Sequence, residues 1–97
     1  MTGEYFIECE IQRGGFSAER TFVVKTSKGK KIVGAAPVEY LLDAQRRPIS
    51  EWSPSESPFK GFVKCRLIRK VDQDKVLVEF PSSDVSDVLN ENLTTIS

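Results

Sequence analysis

Glu8 and Glu10 lie two residues apart in an alternating run, a spacing that on an extended chain holds their carboxylates about 7 Å apart. Carboxyl pairs at such separations serve acid and nucleophile roles in glycoside hydrolysis. The same pair also fits the solvated face of an outer strand. Asp72 and Asp74 flank a polar turn, where aspartate is a routine turn former. Cys9 and Cys65 sit among apolar neighbours at alternating positions, which reads as two reduced core thiols. A mid-strand thiol lacks the base or helix N-terminus that would make it a nucleophile.

The chain contains no histidine. That removes Ser-His-Asp and Cys-His catalysis in their usual forms, together with the side chain best suited to proton transfer near neutral pH. No Walker A loop, dinucleotide-binding glycine pattern or nucleophile elbow occurs. The two cysteines form no CxxC pair and have no histidine to complete a metal site. The expectation is a chain that is not an enzyme and needs no cofactor or metal.

Binding chemistry is better represented. Lys60, Lys64, Arg66, Arg69 and Lys70 fall in eleven residues that contain no acid. Lys64, Arg66 and Lys70 share strand parity with Phe62 and Ile68, so cations and apolar groups interleave on one face. Small β-barrels hold single-stranded nucleic acid in this way, with phosphates on the charges and bases on the rings. Lys25, Lys28, Lys30 and Lys31 form a second cluster about Gly29. The acidic residues Asp84, Asp87 and Glu91 are placed to neutralise such a patch. Outward lysines also protect sheet edges. Trp52 stands in a proline- and serine-rich segment, where a large aromatic either folds back or anchors a partner.

The elements that must position these groups read as strands. Residues 4–13 alternate Tyr5, Ile7, Cys9 and Ile11 against polar neighbours, and Gly14-Gly15 ends the run. Residues 16–26 have high β propensity. After a turn at 27–29 comes the short strand 30–36, where Gly34 and two alanines indicate close backbone approach or a bend. Residues 38–43 fit a strand better than one helical turn. Three prolines and four serines make 48–60 a long surface loop. Residues 61–81 form an antiparallel hairpin about Asp72-Gln73-Asp74, with Val63, Cys65, Leu67 and Val71 inward. Val85, Val88 and Leu89 fit a helical turn near 84–90 that Asp84 would cap, and 93–96 reads as a closing strand.

Six or seven short antiparallel strands with one helical turn give an all-β class, a small, partly open barrel or sandwich. Gly61-Phe62-Val63, the strand at 76–80, the turn before Leu89 and the closing strand Leu93–Ile96 resemble the SH3-like barrels, including KOW and Tudor-type domains. The resemblance is architectural, spans residues 61–97, and implies a fold that hosts many functions.

The 97 residues correspond to one β-barrel domain over 1–97. Fourteen basic and fourteen acidic residues cancel, so no global charge draws the chain to nucleic acid or to a membrane. No apolar run is long enough to span a bilayer, and the first ten residues lack the pattern of a secretory signal. A complete chain of this kind belongs by default in the cytoplasm; a domain cut from a longer protein reads the same way. The leading expectation is a non-catalytic module that binds another protein through Trp52, Phe62, Arg66 and Ile68. The alternative is a single-stranded RNA- or DNA-binding barrel that uses Lys60, Lys64 and Lys70 with Lys28, Lys30 and Lys31. An open barrel also allows homodimerisation by edge pairing.

Overall fold

The computed structural model describes residues 4–50 and 58–96. Eight strands follow in chain order: β1 Glu4–Arg13, β2 Glu19–Lys25, β3 Lys31–Pro37, β4 Leu41–Asp43, β5 Phe59–Lys70, β6 Lys75–Glu79, β7 Val85–Leu89 and β8 Leu93–Ile96. They form one curled antiparallel sheet in the order β3-β2-β1-β5-β6-β7, a half-barrel, with β4 added to β5 and β8 to β1. The all-β expectation holds. Among the described residues no helix is long and apolar enough to cross a membrane.

Alternation in the sequence sets which side chains go inside. The register of β1 on β5 places Ile7 opposite Val63 and Ile11 opposite Phe59, while Glu8 faces Phe62 and Glu10 faces Lys60 on the other side. Ile7, Ile11, Phe22, Val24, Leu41, Val63, Val78 and Val88 are fully buried and form the core. Phe22 and Phe80 meet inside it at 5.8 Å between ring centroids, within the range of favourable aromatic pairs. Ile49, at the start of the expected long loop, is buried and joins this cluster. Each fully buried aliphatic or phenyl group contributes about 1.5–3 kcal/mol through removal from water.

Two glycines are required where they stand. Gly29 has φ +82° in the turn between β2 and β3, where it donates to the Thr26 carbonyl. A Cβ on Gly34 would lie 2.7 Å from Ser82 Oγ and 2.8 Å from Phe22 Cζ. The close approach expected at Gly34 is therefore the packing of β3 against the turn between β6 and β7.

Three local expectations are corrected. Val38–Tyr40 is a one-turn 3₁₀ helix, and only Leu41–Asp43 of that run is a strand. Residues 85–89 are a strand, and the late 3₁₀ turn falls at Asn90–Asn92. Val85, Val88 and Leu89 fit both periods, and pairing with β6 over the full length of β7 decided for the strand. The third correction concerns the basic hairpin. Leu67 pairs with Val78 and Arg69 with Leu77, so a bulge at Ile68 interrupts the alternation. Beyond it Lys70 stands opposite buried Val76, off the face of Phe62, Lys64 and Arg66, and Val71 is exposed rather than inward.

Candidate interaction surface

Lys64 and Arg66 occupy the outer face of β5 because their neighbours Val63 and Cys65 are drawn inward. Each cation has met an acid from another strand. Lys64 Nζ lies 3.1 Å from Glu4 Oε1 at the start of β1, and Arg66 Nε donates to Glu79 Oε1 of β6 at 2.9 Å. Lys60, further along the same face, stands opposite Glu10. At its centre the cationic strip of the sequence becomes two cross-strand ion pairs in the fold.

Aromatic groups complete this region. Lys64 Nζ sits 5.6 Å from the ring centroid of Tyr40, which the 3₁₀ turn carries over the sheet. Arg46 lies 5.7 Å from the ring centroid of Phe62, which is half-buried. Cation–π contacts of this kind contribute about 0.5–1 kcal/mol at exposed positions. A groove of about 680 Å³ runs where the start of β1, the middle of β5 and the end of β6 converge. Its walls include Tyr5, Tyr40, Lys64, Arg66, Leu67, Glu79 and Pro81. Phe6, on the outer parity opposite Lys64, is only 4 % exposed yet lies outside the main core.

The expected partner-binding residues are only partly gathered. Arg66 lines the groove, Phe62 is half-buried beneath Arg46, and Ile68 protrudes at the bulge, 38 % exposed. Trp52 lies outside the described residues. Of the expected nucleic-acid contacts, Lys64 lines the groove, Lys60 lies further along β5, and Lys70 is displaced beyond the bulge. Lys28, Lys30 and Lys31 surround the β2–β3 turn, which is fixed to β7. Ser27 donates there to Asp87, and this bond, with Lys28 and Lys75 nearby, holds the Asp87 carboxyl below its ordinary value. The acidic tail thus reaches the lysine turn through Asp87.

Tyr40, Glu4 and Glu79 did not emerge as site residues from the sequence. Each comes from a different element, and only strand pairing brings them to Lys64 and Arg66. The one local hint is Tyr40, an aromatic held just after a proline-led turn.

The two thiols are buried, and the Glu8–Glu10 pair is exposed. Burial pushes both thiols up, Cys9 and Cys65 each to about 12, with Glu8 and Glu10 adding to the effect at Cys9. Both thiols are free. Cys65 stands opposite Tyr5 and Cys9 opposite Gly61, so the two thiols share a face but lie far apart along it. Glu8 and Glu10 are exposed on the outer face of β1, opposite Phe62 and Lys60. Among the described residues no group of three or more His, Cys, Asp or Glu side chains is placed to hold a metal ion. No protein-family model, curated protein or solved structure matches the chain.

Proposed function

We propose that this chain is a non-catalytic interaction module that holds an extended segment of another protein in the groove bordered by Tyr5, Tyr40, Arg66, Glu79 and Pro81. One observation carries the reading: the two cations of the groove, Lys64 and Arg66, are each satisfied by a carboxylate, Glu4 and Glu79. A phosphate backbone needs cations free to replace its counterions. A surface of balanced charges around aromatic and proline side chains suits a polypeptide, whose main chain and mixed side chains find donors, acceptors and apolar area together. The chemistry of the chain supports the absence of catalysis: it has no histidine, and its thiols are held protonated. Two free buried thiols suit a reducing compartment, and we place the module in the cytoplasm.

The test is selection of a random-peptide phage library on the immobilised protein, alongside titration with mixed single-stranded RNA and DNA at two salt concentrations. Enriched peptides are expected to bind the native protein and to lose about tenfold or more in affinity on Tyr40→Ala, the size of effect an anchoring aromatic gives. Their affinity should change little with salt. Failure of the selection, combined with oligonucleotide binding that weakens steeply with salt and disappears in Lys64→Glu, would replace this reading with a nucleic-acid barrel.

A further inference from the structure

Strand β3 ends the sheet, and its outer edge receives no backbone hydrogen bond from any described residue. The phase of the β2–β3 ladder is fixed at both ends. Thr26 donates to the Lys30 carbonyl at 2.7 Å, and Val38 donates to the Ala18 carbonyl at 3.0 Å. Hydrogen-bonded pairs alternate in an antiparallel ladder, so Ile32, Gly34 and Ala36 bond toward β2. The N–H and C=O groups of Lys31, Val33 and Ala35 therefore point away from the protein.

Natural edge strands are usually blunted by a charge, a proline, a bulge or a covering element. Here Lys31 and Pro37 guard the ends, but Ile32 to Ala36 contain none of these devices, and the register from Glu19–Pro37 to Lys25–Lys31 has no shift. Val33 is 63 % exposed on the outer face, beside Val23 and near Ala35. The opposite edge of the sheet is treated differently: the Ser27 amide caps the Asp87 carbonyl of β7 at 3.1 Å.

We infer that β3 pairs antiparallel with β3 of a second copy about a two-fold axis at Gly34. In this register Val33 lies beside Ala35 of the second copy, and both present main-chain groups to each other. Lys31 falls opposite Pro37 of the second copy, whose carbonyl accepts from the Lys31 amide. The same register puts Gly29 opposite Glu39 of the second copy. The basic end of each strand, Lys28, Lys30 and Lys31, thereby meets the acidic end of the other, which carries Glu19 and Glu39. A parallel pairing would instead align like lysines, so charge selects the antiparallel arrangement. The contact is isologous and closes on itself, leaving no further β3 edge for fibre growth. It buries only small side chains, which sets the association in the micromolar-to-millimolar range. It is independent of the groove on β5.

The test combines sedimentation equilibrium with amide hydrogen exchange across micromolar to millimolar protein. The weight-average mass is expected to rise toward that of a dimer with concentration. The amides of Val33 and Ala35 should gain protection in step, while those of Ile32, Gly34 and Ala36 are protected throughout. Val33→Lys places like charges near the centre of the contact and should raise the dissociation constant roughly tenfold or more. Ala35→Pro removes an N–H that β2 does not use and should give a folded monomer, verified by its thermal unfolding. A monomeric mass at millimolar concentration, a dimer whose Val33 and Ala35 amides still exchange freely, or a dimer unmoved by both variants would overturn the inference.

Discussion

The Ser27 hydroxyl donates to the carboxylate of Asp87, sixty positions further along the chain, and the Ser27 amide donates to the Asp87 carbonyl at 3.1 Å. This double contact joins the β2–β3 turn to β7. It ties that turn to the far side of the curled sheet and leaves the outer edge of β3 unpaired.

The seam should be sensitive to acid. Asp87 is held below its ordinary value of 3.8, first by the Ser27 hydroxyl, then by a backbone amide of its own residue, and least by Lys28 and Lys75. A carboxyl depressed in the folded state contributes stability that is fully present above its unfolded value and is lost as pH falls through the folded one. Asp43 behaves in the same direction, because the amides of Arg47 and Gln45 donate to it. Thermal midpoints measured from pH 7 down to pH 2 should hold steady and then fall below about 3.8. In Asp87→Asn that acid-side fall should be shallower, since one of the two carboxyls held low is gone. An identical profile in the variant would show that the carboxylate does not stabilise the seam.

Gly34 and Ser82 form a steric pair. Gly34→Ala places a Cβ where Ser82 and Phe22 already stand and should destabilise by about 1–3 kcal/mol, the usual cost of overpacking. Adding Ser82→Gly should recover part of the loss, and a urea-denaturation cycle of the two variants measures the coupling. Additive effects would mean that the β6–β7 turn does not press on β3.

The bulge at Ile68 separates two neighbouring apolar residues by their tolerance. Ile68→Asp should change stability by no more than about 0.5 kcal/mol, as an exposed substitution does. Val78→Asp, on the adjoining strand, would bury a charge at a fully enclosed position and should cost about 3 kcal/mol or more. Chemical denaturation of the two variants is sufficient to tell them apart. A large loss in Ile68→Asp would place that side chain in the core.

The thiols should be nearly inert in the folded protein. With both held up to about 12, only about one part in ten thousand is thiolate at pH 8. Reaction with a chromogenic disulfide reagent should be slow in buffer and release two equivalents at once in guanidinium. Rapid native reaction of Cys65, which borders the groove, would show that the groove opens to the core.

The ion pairs on β5 should contribute little to stability. Arg66 is largely exposed and Glu79 half-buried at the surface, and surface pairs of this kind are worth about 0–1 kcal/mol. Glu79→Gln should therefore leave the unfolding midpoint nearly unchanged while leaving Arg66 without its carboxylate. If the groove is tuned for polypeptide by charge balance, this variant should gain salt-sensitive affinity for single-stranded oligonucleotides. No gain would indicate that the shape of the groove, rather than its neutrality, sets its preference.

Local chemistry in the chain determined the fold class and most of its inside and outside. The alternation of Tyr5, Ile7, Cys9 and Ile11 can bury one face only as a strand, and Gly29 marks a turn because few other residues accept its backbone angles. The absence of histidine is likewise complete in the sequence. The bulge at Ile68 was not legible, because a bulge is a mismatch between two strands and neither strand carries it alone. The strand identity of 85–89 was hidden for a similar reason: its spacing fits a helix and a strand, and the hydrogen bonds of β6 chose between them. The neutral character of the outer face was settled by tertiary structure too. Lys64 and Arg66 lie among cations in the chain, but register places Glu4 and Glu79 against them. Charge in a sequence is local, whereas the field at a surface is a sum over strands that are distant in the chain and adjacent in the sheet.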